Sequence, residues 1–136
     1  MSIEFEGLEE FLESLEDLLT PEKIDLALKK SCALVERAAK KNAPKGSGEL
    51  RRSITSEVKE GVGIVFTPLE YAPYVEYGTG LFAEKGGRQD VPWHYKDDEG
   101  EWHTTSGMHP HPYMRPALEE NRERILEFFR EAATNE

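Results

Sequence analysis

The chain has 136 residues, 17 of them Lys or Arg and 27 Asp or Glu, a formal net charge of −10, with 38% apolar and 32% charged residues. That length fits one domain with one ordinary core, no run reaches the roughly 18 apolar residues of a membrane span, and overall acidity argues against a dedicated duplex-DNA binder. The single cysteine, Cys32, makes neither an intrachain disulfide nor a cysteine zinc site, and Met1 to Glu6 shows none of the features of a secretory signal, so a soluble protein of a reducing compartment is expected.

Leu8, Phe11, Leu12, Leu15, Leu18 and Leu19 recur at spacings of three and four, which predicts an acidic amphipathic helix over residues 1–20. Thr20 is placed to cap and Pro21 to open a long helix over 21–42. Its apolar stripe is Ile24, Leu28, Cys32, Val35 and Ala39, flanked by Ala27, Leu34 and Ala38, and Asn42-Ala43-Pro44 ends it. Lys45-Gly46-Ser47-Gly48 reads as a loop, and Glu49 to Arg52 as a single turn capped by Ser47. Ile54, Ser56 and Val58 alternate with polar residues, Lys59 to Gly63 turns the chain, and Ile64 to Thr67 returns it, a hairpin over 53–68. Tyr71 to Gly80 is an aromatic helical turn running into glycines. Residues 81–112 read as irregular, with a second hairpin of Val91–Tyr95 and Glu101–Thr105 around Lys96–Gly100. A C-terminal helix over 113–133 closes the chain, with Pro116, Ala117, Leu118, Ile125, Leu126, Phe128 and Phe129 inward. The expected fold is one α+β domain over 1–136, a small antiparallel sheet with the long N-terminal helix and the C-terminal helix packed on one face.

The charge is segregated along this order. Residues 1–22 carry eight acids and no base, 23–52 carry nine bases and three acids, and 53–136 carry eight bases and sixteen acids. Solvated helix faces would look like this, and so would two surfaces of opposite sign that meet across subunits. The histidines His94, His103, His109 and His111 read by default as solvated loop side chains, with a metal site as the alternative because imidazole is the commonest metal ligand. One hairpin register sets His94 opposite His103, and a bulge at Gly100 removes that pairing. No His-Glu-x-x-His, Gly-x-Ser-x-Gly or phosphate-loop pattern occurs. Trp93 and Trp102 suit base or sugar stacking, or a cross-strand packing pair.

Three stretches carry more. They are Ala43-Pro44 with Ser47-Gly48-Glu49-Leu50-Arg51-Arg52-Ser53-Ile54, then Tyr71-Ala72-Pro73-Tyr74-Val75-Glu76-Tyr77-Gly78-Thr79, then Pro110-His111-Pro112-Tyr113-Met114-Arg115-Pro116-Ala117-Leu118. In this order the chain resembles the tail-completion (neck, head–tail joining) protein family of long-tailed bacteriophages and prophages, over about residues 30–130. It departs from that pattern in Ser47 for Thr, Tyr113 for Phe, a long acidic N-terminal segment and a long 92–105 segment.

The resemblance implies a structural protein of the virion, held in the bacterial cytoplasm before assembly. It would act at the head–tail junction by forming a ring, a hexamer, that meets the portal-side connector and tail proteins, with DNA passing through and no membrane contact. It implies no enzyme activity, cofactor or metal. It marks Ser47, Gly48, Leu50, Arg51, Ser53, Ile54, Tyr71, Tyr74, Glu76, Gly78, Thr79, Pro112, Tyr113, Pro116 and Ala117 as family-motif or interface residues. Within them, Leu50 and Ile54 are expected to reach the core while Arg51 and Arg52 point out. Glu76 is the best candidate for a specific polar contact, with an arginine such as Arg51 of the same or a neighbouring subunit. Two competitors stand beside this reading: a nucleic-acid-contacting module that uses the basic 23–52 segment, and a metal-dependent hydrolase built on the four histidines.

Overall fold

The computed structural model describes residues 1–4, 18–46, 48–84, 87, 90–97 and 99–134. The chain divides into two compact units, Met1–Pro68 with Tyr113–Glu136, and Leu69–Pro112. In the first unit β1 (Ser2–Glu4), α1 (Pro21–Asn42), α2 (Glu49–Ser53), β2 (Thr55–Lys59) and β3 (Val62–Phe66) are followed, after the second unit, by α4 (Met114–Glu119) and α5 (Arg122–Thr134). The second unit holds α3 (Ala72–Tyr77), a 3-10 turn (Gly80–Phe82), β4 (Trp93–Lys96) and β5 (Trp102–Thr105). The architecture is α+β, with two small antiparallel sheets, the long helix and a C-terminal helix.

In the first unit β3 is the central strand, flanked by β1 and β2 in antiparallel register. Val65 stands opposite Ile3 on one side and Ser56 on the other, so these three share a face. That face looks at α1, because the Ser56 hydroxyl donates to Glu36 Oε1 at 3.0 Å. Val65 is accordingly buried. The hairpin turns on Glu60 and Gly61 alone, both left-handed at φ 52° and 78°, the two-residue geometry whose twist matches that of the strands. Residues 59–63 were expected to turn, but Lys59 and Val62 are already paired across the ladder.

Two further boundaries differ from the sequence reading. Ser2–Glu4 form an edge strand, where helix was expected from residue 1; the remainder of that acidic segment, 5–17, lies outside the described residues. The expected helix over 113–133 is two helices. Its break follows from Asn121, whose backbone N–H bonds Leu118 O while its side-chain amide bonds Ala117 O at 2.7 Å, tightening one turn between α4 and α5.

Helix α1 starts as its sequence requires. Thr20 Oγ1 accepts from the Lys23 N–H at 3.2 Å and Pro21 occupies the first turn, where a missing N–H costs nothing. It ends at Ala43, extended ahead of Pro44. Its buried face is Ala27, Leu28, Ser31, Cys32, Val35 and Ala39, and it packs on β2 and β3 as well as on α4 and α5. Ser31 belongs to this face because its hydroxyl donates back to Ala27 O at 2.8 Å, so burial leaves no polar atom unsatisfied. Burial pushes the Cys32 thiol up to about 11, with the Glu36 carboxylate adding to the rise and a backbone contact from Ile64 opposing it.

These placements set two expectations. Phe129 is buried on α5, so Phe129→Ala should cost about 3–5 kcal/mol of stability in denaturant unfolding. Phe128→Ala, which loses a half-exposed ring under Arg124, should cost clearly less. Because the thiolate is the reactive form, Cys32 in the folded protein should resist a thiol reagent at pH 8, while the unfolded chain reacts at once. The raised thiol contributes stability below about pH 8.5, the ordinary cysteine value, and that contribution is lost as the pH rises towards 11.

Candidate functional site

The second unit is organised by a short backbone ladder. The Thr79 N–H donates to Met108 O at 2.9 Å, Leu81 N–H to Ser106 O at 3.0 Å, and Met108 N–H to Thr79 Oγ1 at 2.9 Å. Two backbones approach this closely only because glycines stand at the contact. A Cβ on Gly80 would strike Ser106 O, one on Gly107 would strike Thr79 O, and one on Gly78 would lie 2.8 Å from Met108 O. All three have positive φ, so a side chain there is opposed twice over. Gly107 had drawn no notice in the sequence, although it is the partner that Gly78 and Gly80 require.

On helix α3 the residues Ala72, Val75 and Glu76 are buried, and Tyr71, Tyr74 and Tyr77, three apart, take the other face. Those tyrosines, with Pro73, Trp93 and Tyr95, line an open groove of about 1150 Å³ in this unit, and Glu84 lines it too. Tyr74 is 57% exposed and Tyr95 46%. So many aromatic bodies left in water on one surface are unusual for a face that meets nothing, and Tyr and Trp are the residues enriched at protein interfaces.

The expected motif residues divide between the two units. In the second, Tyr71 and Tyr74 line the groove together with Gly78 and Thr79, Glu76 has no exposed surface, and Pro112 is exposed. In the first, Leu50 and Ile54 are buried while Arg51 is half-buried and Arg52 exposed. Arg51 Nε donates to Lys40 O at 3.0 Å, which fastens α2 to the end of α1. Ser53 Oγ donates to Leu50 O at 2.6 Å and lies 2.7 Å from Thr67 Oγ1. Gly48 is left-handed at φ 79° ahead of α2; Ser47, the expected cap, lies outside the described residues. Tyr113 and Ala117 are fully buried and Pro116 half-buried. The Asn42 amide donates to Tyr113 O at 3.3 Å and the Tyr113 hydroxyl points to Met1 Sδ at 3.6 Å.

The histidines are not gathered into a ligand set. The β4–β5 register sets His94 opposite Thr104 and Tyr95 opposite His103, so His94 and His103 do not face each other. His94 Nδ1 lies 2.8 Å from Thr104 Oγ1, and His109 stacks on Phe82 with ring centres 3.9 Å apart. The same register sets Trp93 against Thr105 and Trp102 against Lys96, so the tryptophans are not a cross-strand pair.

Among the described residues, one group has metal-ligand spacing: Asp97, Glu101 and His103, whose ligand atoms lie within 4.8 Å of one another. Its geometry serves the hairpin turn. Asp97 Oδ1 accepts from the Glu99 and Glu101 N–H groups at 2.9 Å each, and Oδ2 meets His103 Nε2 at 2.6 Å. The His103 hydrogen bond, then the Glu101 and Glu99 N–H groups, hold the Asp97 carboxyl below its usual range.

The ladder is open to a direct check. Gly107→Ala should speed hydrogen exchange at the Thr79 and Leu81 amides by orders of magnitude, because its Cβ displaces the Thr79 carbonyl. Gly61→Ala, where a Cβ would meet nothing within 4 Å, should leave those two amides protected and cost about 1–2 kcal/mol for its left-handed φ. Unchanged exchange in Gly107→Ala would remove the ladder from the account of this unit.

Two comparisons are silent: no curated protein and no solved structure matches the chain. A family model does match. It is the HK97-gp10-like family, described as "Bacteriophage HK97-gp10, putative tail-component", and it covers residues 6–78. That span takes in α1, α2, the β2–β3 hairpin, and the Tyr71, Tyr74 and Tyr77 face. The third of the stretches that carried the resemblance, 110–118, lies beyond it. Covering more than half of the 136 residues, the match shows that this chain belongs to the HK97-gp10-like family of bacteriophage tail components.

Proposed function

We propose that this protein is a structural subunit of the phage head–tail junction, where it completes the tail or connects it to the portal-side complex by assembling as a ring, a hexamer in the reading the motifs support. The family match over residues 6–78 carries the proposal. The aromatic groove supports it, since a subunit that closes a ring must leave part of its surface unsatisfied until neighbours cover it. The segregated charge supports it as well, because complementary fields set the register of such contacts while a net charge of −10 keeps free subunits apart in solution. In this role the chain carries out no reaction and holds no cofactor. Its partners are further copies of itself and the neighbouring proteins of the virion, around a channel that DNA traverses.

Removing the gene from the phage or prophage that encodes this chain tests the role. Electron microscopy of the induced lysate should show filled heads and separate tails that do not join, with joining restored by the protein supplied in trans. Normal, infectious virions from the deletion strain would show that the chain has no part in the junction.

A further inference from the structure

The proposed ring leaves open which surfaces meet, and the described residues contain two that fit. The first is on the outer face of α1. Lys30, Arg37 and Lys41 are exposed and, at spacings of seven and four, fall on one line of the helix. They make no ion pair with any described residue, whereas Lys29 is held by Asp25 and Lys40 by Glu36. The row spans roughly 16 Å at 1.5 Å per residue, and Leu26, 51% exposed, extends it with an apolar side chain. Arg122 and Arg124 of α5 offer no equivalent, being paired with Glu119, Glu127 and Glu131.

The second surface is the aromatic groove of the unit 69–112. Its chain segment carries eight acids and three bases, and Glu84 lies in the groove wall. At about 1150 Å³ the groove is larger than a usual small-molecule pocket of roughly 300–1,000 Å³, so it suits a row of side chains on a helix. Tyr71 and Tyr74 are exposed rings of the kind to which lysine and arginine heads are attracted, and Tyr95, stacked on His103 by one face, stands beside them in the lining. Their apolar bodies would cover the lysine stems.

We infer that the aromatic groove of one copy receives the Lys30–Arg37–Lys41 row of the next copy. The contact joins two different patches and so propagates head to tail, which is the kind that closes a ring. The inference rests on the assembly reading above and adds its two faces. Charge complementarity decides the occupant. The row is basic, the groove segment is acidic, and a chain of net charge −10 is a poor match for DNA phosphates beyond the row itself.

Disulfide trapping on the full-length protein tests it. One chain carries Arg37→Cys, another Tyr74→Cys, and a third, as control, Glu127→Cys on the exposed face of α5. Native Cys32 is buried and its thiol raised, so it takes no part. After mild oxidation of mixtures, the Arg37→Cys and Tyr74→Cys pair should exceed the Glu127→Cys and Tyr74→Cys pair by at least about tenfold, from the local concentration an oriented contact creates. The excess should fall in high salt, and Lys30→Glu with Lys41→Glu in the first chain should abolish it.

Native mass spectrometry of the wild-type protein separates this inference from the assembly reading. Specific trapping without closed oligomers keeps the docking and removes the ring. Closed oligomers with trapping no better than the control keep the ring and overturn the docking. Absence of both overturns it too. Duplex-DNA binding that is lost in Lys30→Glu/Arg37→Glu/Lys41→Glu, with no specific trapping, overturns it in favour of a phosphate-contacting row.

Discussion

The first unit depends on how closely the inner face of α1 can approach what lies against it. Ala27, Val35 and Ala39 have no exposed surface at all, and the helix touches β2 and β3 as well as α4 and α5. Small side chains let backbones come near, and a tightly packed interior gains its stability from the many short contacts that follow. On the opposite face Lys30, Arg37 and Lys41 are exposed. These three, which make no ion pair with any described residue, repeat at seven and four just as the buried Leu28, Val35 and Ala39 do, so one helical period lays out both faces.

The second unit is held on different terms. It has a ladder of backbone hydrogen bonds between 79–81 and 106–108, made possible by three glycines that allow contact distances no side chain would tolerate. An intramolecular hydrogen bond contributes about 0.5–1.5 kcal/mol net, so a segment built this way is orderly without large apolar burial. Its aromatic residues are thereby free to face outward. The two units divide the labour: one supplies a conventional core, and the other presents tyrosines and a tryptophan on a scaffold of main-chain bonds.

Much of this was legible in the sequence, for physical reasons that differ by element. The bounds of α1 follow from Thr20-Pro21 at one end and Pro44 at the other, because cap and proline act locally. The β2–β3 hairpin follows from its alternation and from Glu60-Gly61. The strand Ser2–Glu4 was hidden because three residues cannot display a period and only β3 tells them what to pair with. The break at Asn121 was hidden because the apolar spacing continues across it. The groove was only half visible: Tyr71, Tyr74 and Tyr77 announce themselves by helical spacing, but Trp93 and Tyr95 join them through the tertiary path of the 69–112 segment. The sequence left the facing of His94 and His103 open for a related reason, since a hairpin's pairing depends on where its turn sits. Here the Asp97 carboxylate, accepting from Glu99 and Glu101, fixes that turn and sets Tyr95, not His94, opposite His103.

The ladder between Thr79–Leu81 and Ser106–Met108 also bears on how such a protein can change over generations. It joins the two stems of an excursion that runs from residue 82 to 105, so the chain leaves and returns at one secured point. Closing a flexible loop costs only about 0.6 kcal/mol more for each doubling of its length. Insertions, deletions and substitutions in that excursion therefore leave the stems, and the helices that follow them, where they were. The excursion is thereby the part of the subunit most open to change, whereas the buried alanine face of α1 admits little without disturbing the core.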